Sequence, residues 1–238
     1  MTLAAGMPHL SEQDREALRH LNVVHRFVGR GKALLREREP VTQLRVLCKG
    51  WTIRSRRLDQ DRRQILDVAL PGDLIGLHVD GMGESISDVT ALTPCELGEI
   101  DPKALQRVAD ANPGIAAGLN RHMSRQIARA NDQVMRLGRM TAYERVSSLL
   151  LDLYDRQRPM VLELGYVDFP ITQTVAADML GLSVVHVNRQ VMRLRREGLV
   201  TLNRKRLVIH DEALLATVAR YEDRQFTAKP KLSVVAAE

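Results

Sequence analysis

Between Pro170 and Thr201 the chain reads PITQTVAADMLGLSVVHVNRQVMRLRREGLVT, a stretch with few ways to fold. Val175, Ala176, Met179 and Leu180 fall on one face of a short helix that Thr172 can cap. Gly181 can take the left-handed conformation that ends it. Leu182 fills the turn, and Ser183 caps a second helix with Val187, Val191 and Leu194 on its buried side. Small Ala177 lets the two helices cross closely. The pattern predicts a helix-turn-helix, whose second helix can enter a major groove by its N-terminal end. Leu199, Val200, Leu202 and Leu207–Ile209 predict two short strands around the basic turn Asn203–Arg204–Lys205, a winged extension.

Charge concentrates at the same place. The 238 residues carry 35 Lys plus Arg against 29 Asp plus Glu, a net +6. From Ser183 to His210 seven bases face one acid, Glu197, so this short segment holds an excess equal to that of the whole chain. A focused basic patch fits a polyanion. On the second helix Val184, Val185, His186, Asn188, Arg189 and Arg193 lie off the buried side. Arg189 can bond guanine O6 and N7, Asn188 can pair with adenine, and a valine can touch a thymine methyl. Arg195, Arg196 and Lys205 suit phosphates. The candidate DNA contacts are Thr172, Gln173, Ser183, Val184, His186, Asn188, Arg189, Arg193 and Lys205. Only 3% of residues are aromatic, which disfavours a stacking platform for single strands.

Upstream, Leu10–Leu21 predicts a short helix with Ser11 as N-cap and Asp14 in the first turn. From Val23 to Ile100, short apolar runs at 44–48, 51–53, 65–70, 74–77 and 95–100 alternate with Gly and Pro, which predicts an antiparallel sandwich or barrel. A long helix is expected from Asn112–Pro113, with Asn as N-cap and Pro at the first helical position. Ile115, Leu119, Met123, Ile127, Ala130, Val134 and Leu137 form a narrow seam along it. That seam suits equally a helix lying on its own domain and a two-fold dimer. Gly138 and Met140–Thr141 mark a hinge, Thr141 with Glu144 forms a capping box, and Val161–Leu164 reads as strand. The expected units are the sandwich or barrel with its leading helix at 10–111, the long helix at 112–138, a winged helix-turn-helix at 139–221 and a disordered tail at 222–238.

The chain resembles the Crp–Fnr family of bacterial transcription regulators. The likeness rests on LPGDLIG at 70–76, ALTPCELGEI at 91–100, the NPGIAAGLNRHMSRQI helix start, and the ITQTVAADMLGLSVVHVNRQVMRLRREGLV segment. It implies an α+β fold: an N-terminal double-stranded β-roll like a cyclic nucleotide-binding domain, a long dimerisation helix and a C-terminal winged helix-turn-helix. It further implies a homodimer on pseudo-palindromic duplex DNA, with RNA polymerase as a partner and the β-roll as the effector module. The seam is then expected to be the dimer interface.

Departures from the family pattern bear on the effector. Leu77 stands where cyclic-AMP-binding relatives have the ribose-holding Glu, Ser85–Ile86 replaces the phosphate-binding Arg-Ser pair, and Ala130 replaces the adenine-reading threonine. Cyclic AMP is therefore not expected. The two cysteines, Cys48 and Cys95, cannot supply the four thiolates of an iron–sulfur cluster. His78 falls where a carbon-monoxide-sensing relative has a haem ligand, but the accompanying cysteine corresponds to Gly76, which leaves haem a weak candidate. No metal site is expected. Leu74, Gly76, Leu77, His78, Ser85 and Ile86 are the candidate effector pocket, for an unidentified small molecule or none. On the recognition helix Arg189 matches the family's arginine, while Val185 replaces its usual glutamate, so the common half-site of relatives does not transfer.

Two other classes compete. An enzyme is not expected, since GxxxxGK, GxGxxG, HExxH and GxSxG are all absent. The alternative is a β-roll sensory or scaffold protein whose C-terminal helices bind protein. The start of the chain does not read as a signal peptide, and no apolar run reaches the roughly 18–20 residues of a membrane span, so a cytoplasmic protein without membrane contact is expected.

Overall fold

The computed structural model describes residues 7, 9–59 and 62–220; the expected tail at 222–238 lies outside them. Helix α1 (Glu12–Arg19) opens on a full capping box, Ser11 accepting from the Asp14 amide and Asp14 from the Ser11 amide. Eight strands follow: β1 (Val24–Val28), β2 (Ala33–Leu35), β3 (Leu44–Lys49), β4 (Thr52–Arg57), β5 (Arg63–Ala69), β6 (Leu74–Ile75), β7 (Asp88–Ala91) and β8 (Cys95–Ile100). They pair antiparallel into two four-stranded sheets, β1-β8-β3-β6 and β2-β7-β4-β5. Leu35, Val89 and Ala91 from one sheet meet Leu47, Ile75 and Leu97 from the other in a common core. This is the double-stranded β-roll.

Helix α2 (Pro102–Ala111) was not expected from the sequence. Its start is nonetheless coded: Asp101 accepts from the Lys103 amide, Pro102 sits in the first turn, and Leu105 and Ala109 are buried one turn apart. The chain then turns into α3 (Pro113–Arg139). Asn112 occupies the N-cap position without capping; its side chain instead donates to the Val108 carbonyl at 2.7 Å. Gly138 is not the hinge, because α3 runs through it to Arg139 and the break falls at extended Met140.

The face of α3 that packs on its own chain is polar: His122, Gln126, Gln133 and Arg136 are buried there with Ile115 and Gly118. Of the expected seam, Ile115 is fully buried in the cluster with Met7, Leu105 and Ala109, and Leu119 packs against it. Ile115 therefore belongs to the protomer core. Ile127 and Val134 point outward, 58% and 68% exposed.

Helices α4 (Ala142–Asp155) and α5 (Arg158–Leu164), strand β9 (Val167–Asp168), helices α6 (Gln173–Leu180) and α7 (Val184–Arg196), strands β10 (Val200–Asn203) and β11 (Arg206–Ile209), and helix α8 (Glu212–Val218) complete the fold. The expected strand at Val161–Leu164 is the helix α5. Pro159 sits in its first turn and Gly165 ends it in the left-handed conformation, which outweighs a single β-branched valine. The wing has three strands, β10-β11-β9, not two.

The C-terminal unit is docked on the β-roll. Trp51, Ile53, Ile65, Val68 and Leu70 share one core cluster with Leu149, Leu150 and Leu180. At its edge Arg63 pairs with Asp178 at 2.5 Å, and Gln64 donates to the Met179 carbonyl at 3.0 Å. Arg145 closes the hinge by donating to the carbonyls of Leu137, Met140 and Leu180, each within 2.9 Å. It thus caps the orphan end of α3 and that of α6 together.

Candidate nucleic-acid interface and effector cavity

Local chemistry builds the helix-turn-helix. Thr172 accepts from the Val175 amide at 3.2 Å to start α6. Gly181 then adopts φ +61°, a conformation that a side chain would strain. Ser183 accepts from the His186 amide at 3.2 Å to start α7. Val187 and Leu194 anchor α7 to the core that holds Ala177 and Leu180. The opposite side, with Val184, Val185, His186, Asn188 and Arg189, is exposed.

Each candidate contact has a definite setting. Gln173 donates to Asn188 Oδ1 at 3.2 Å, linking the two helices across the exposed face. His186 Nδ1 lies 3.1 Å from Ser183 Oγ. Arg189 has no hydrogen-bond or ion-pair partner among the described residues and stands open to solvent. Arg193 is already engaged, its guanidinium 3.9 Å from the Tyr143 ring centroid and 2.8 Å from Glu197. Tyr143 donates to the same Glu197, and burial with that bond pushes the phenol up to about 12. Arg193 therefore fixes the back of α7, a role that its helical position alone does not show.

The wing turn places Arg204 and Lys205 at φ +47° and +63°. Two consecutive left-handed residues give the tight hairpin that matches strand twist. Both side chains are exposed. Lys205→Ala is expected to weaken all duplexes alike and to lower the salt slope by about one counterion, as anisotropy titrations over a salt series would record.

The β-roll holds a cavity lined by Leu74, Gly76, His78 and Ser85 of the expected pocket, together with Thr52, Arg54, Asp67, Asp73, Ser87, Gln126 and Arg129. Leu77 packs away from it against the α1–α2 cluster, and Ile86 is exposed; neither lines it. Ala130 is on the exposed side of α3, so Gln126 and Arg129 form that wall instead. Gly76 takes φ +101°, and a Cβ there would stand 3.2 Å from the Gln43 carbonyl. Burial, then Arg54 nearby, lowers His78 to about 4, so its imidazole is neutral at pH 7.

An ionic network joins this cavity to the C-terminal unit. Arg129 on α3 lies 3.5 and 3.6 Å from Asp67 and Asp73. Arg156, just past α4, contacts the same two carboxylates at 3.8 and 2.8 Å and donates to the Val68 carbonyl at 2.7 Å. Sequence reading missed this network because its ion pairs join residues 56 to 89 positions apart. Among the described residues no cluster of His, Cys, Asp and Glu could hold a metal ion, and no helix is long and apolar enough to cross a membrane.

Residues 25–112 match the model of the cyclic nucleotide-binding domain, and residues 144–218 that of the Crp-like helix-turn-helix domain. The nitrogen fixation regulation protein FixK of Azorhizobium caulinodans is 30% identical over 173 residues, 71% of this chain and 68% of that protein. FixK of Bradyrhizobium diazoefficiens is 27% identical over 215 residues, 89% of this chain and 87% of that protein. Among solved structures, FixK2 from Bradyrhizobium japonicum aligns with a TM-score of 0.75 at 23% identity, covering 83% of this chain and 98% of that one, which is a likeness of fold.

Proposed function

The chain belongs to the Crp–Fnr family of DNA-binding transcription regulators, and on that premise we propose that it acts as a homodimer whose two α7 helices read the half-sites of a pseudo-palindromic duplex. One observation carries the reading: an anchored helix presents Val184, Val185, His186, Asn188 and unpaired Arg189 to solvent, with a basic hairpin beside it. Val184 or Val185 meets a thymine methyl, Arg189 a guanine, and Arg195, Arg196 and Lys205 the phosphates. Thr172 and Ser183, both spent as caps, position the helices and reach only the backbone of the duplex. Exposed Ile127, Ala130 and Val134, with half-buried Met123 and Leu137, form the two-fold seam on α3, which sets the α7 pair about 34 Å apart.

The β-roll is the signal module in this reading, and RNA polymerase the partner at the promoter. Cyclic AMP, an iron–sulfur cluster and haem are not part of the proposal. The two cysteines are both buried, and the free space in the cavity, about 30 Å³, suits roughly two waters and not a nucleotide. No catalytic role is proposed. The matches to regulators favour DNA over a protein partner for the C-terminal helices.

Arg189→Ala is the direct test of the α7 placement. The expected result is relaxed discrimination at one base pair per half-site, worth about 1–3 kcal/mol, with other positions unchanged. The measurement is competition binding against every single-base variant of a selected site. An unchanged specificity profile would remove α7 from the major groove.

A further inference from the structure

Among the described residues, six buried side-chain polar atoms lack a hydrogen-bond partner, and four of them belong to residues of β4, the β7 approach and α3 that line this cavity. Thr52 and Ser87 are each 1% exposed, and their hydroxyls are unpaired. Gln126 Oε1 and Arg129 Nε share that condition. Buried polar groups are costly to leave unsatisfied, so four in one place indicate a site that another molecule completes.

The surrounding charges fix the sign of that molecule. Arg54 and Arg129 both line the cavity and repel each other; burial is the main cause that holds Arg54 below its ordinary value, and Arg129 adds to it. The two carboxylates that could neutralise them, Asp67 and Asp73, are shared with Arg156 from outside the cavity. Arg125 on α3, outside the cavity lining, lies near enough to Asp73 and Arg129 to feel both. His78 and His122 are lowered to about 4, chiefly by burial, and add no charge at pH 7. The cluster is short of negative charge.

Resting on the reading of the β-roll as the signal module, we propose that this cavity binds a small organic carboxylate between Arg54 and Arg129. Its two oxygens match the planar guanidinium fork. The Thr52 and Ser87 hydroxyls donate to the same oxygens, and Leu35, Ala69 and Val89 take its short apolar body. Free space of about 30 Å³ accommodates a carboxylate group and is too small for a nucleotide. Because Arg129 also holds Asp67 and Asp73, the ligand draws on the same guanidinium that the network to Arg156 uses.

The test is calorimetric titration of the full chain with acetate, nitrate, inorganic phosphate and cyclic AMP, at ionic strength held constant with chloride. The expected result is saturable acetate binding, tighter than that of the other three. Thr52→Val and Arg54→Gln should each weaken it at least about tenfold, as loss of a hydrogen bond to a charged group does. Thr52→Val conserves volume and stands as the test if Arg54→Gln fails to fold. Preference for phosphate, nitrate or cyclic AMP overturns the carboxylate assignment, and so does acetate binding that both variants retain. If no anion binds while the parent chain still prefers a selected duplex, the cavity proposal fails alone. Absent duplex preference with acetate binding intact overturns the DNA reading alone.

Discussion

Arg156→Ala is expected to destabilise the protein by about 3 kcal/mol, because it strips a buried cation from two carboxylates and leaves their charge to the contacts with Arg129, at 3.5 and 3.6 Å. From the C-terminal unit, Arg156 bonds both the β-roll backbone, at the Val68 carbonyl, and the Asp67–Asp73 pair. Its loss therefore loosens the docking of the two units as well as the charge balance. The effect has a pH signature. Burial pushes the Asp73 carboxyl up, but Arg156 and then Arg129 beside it more than reverse this and hold it below the usual range. A carboxyl lowered in the folded state contributes stability above its unfolded value, near pH 4, and loses it as the pH falls through the folded one. The parent chain should shed this part only in acid. The variant should have shed much of it already at pH 7, and its stability should fall less as the pH drops below about 4. Urea unfolding at pH 7 and over a series from about pH 4 downward measures both statements, and Asp73→Asn in the Arg156→Ala background should restore part of the loss. A change below about 1 kcal/mol would show that the network does not hold the units together.

Ile127→Asp is expected to give monomers and to weaken binding to a two-fold duplex site by about 10²–10⁴-fold, since each half-site must then be bound without the effective concentration that a partner supplies. The fold itself should survive. Ile127 is already exposed in the protomer, and surface substitutions usually change stability within about 0.5 kcal/mol. Val134→Asp should act the same way, while Ile115→Asp should unfold the helix junction instead, because Ile115 is in the core with Leu105 and Ala109. Sedimentation separates these outcomes. A dimer that persists in Ile127→Asp would move the interface away from this face.

What could be read from the sequence is what local rules decide. Thr172, Gly181 and Ser183 act within three or four residues of themselves, so the helix-turn-helix and its caps were legible, and the basic hairpin with them. Hydrophobic periodicity is silent where a buried face is polar. On α3 it found Ile127 and Val134, which point outward, and passed over His122, Gln126, Gln133 and Arg136, which point in and bond to other elements. Gln133 donates to Met179, 46 residues on, and Arg136 to Ser148. Such pairings are set by tertiary geometry and leave no periodic trace. The effector cavity was half legible for the same reason. Gly76 and His78 come from a recognisable loop, but Arg54, Asp67 and Arg129 meet only once β4, β5 and α3 have packed.

Selection of bound fragments from random duplex DNA, followed by competition against unselected competitor, tests most directly whether paired α7 helices read sequence. The expected outcome is an inverted repeat with half-site centres about 10 base pairs apart, bound by two chains and preferred over random duplex by at least about 10³-fold. Enrichment of no motif, or of a single unpaired half-site bound by one chain, would contradict it.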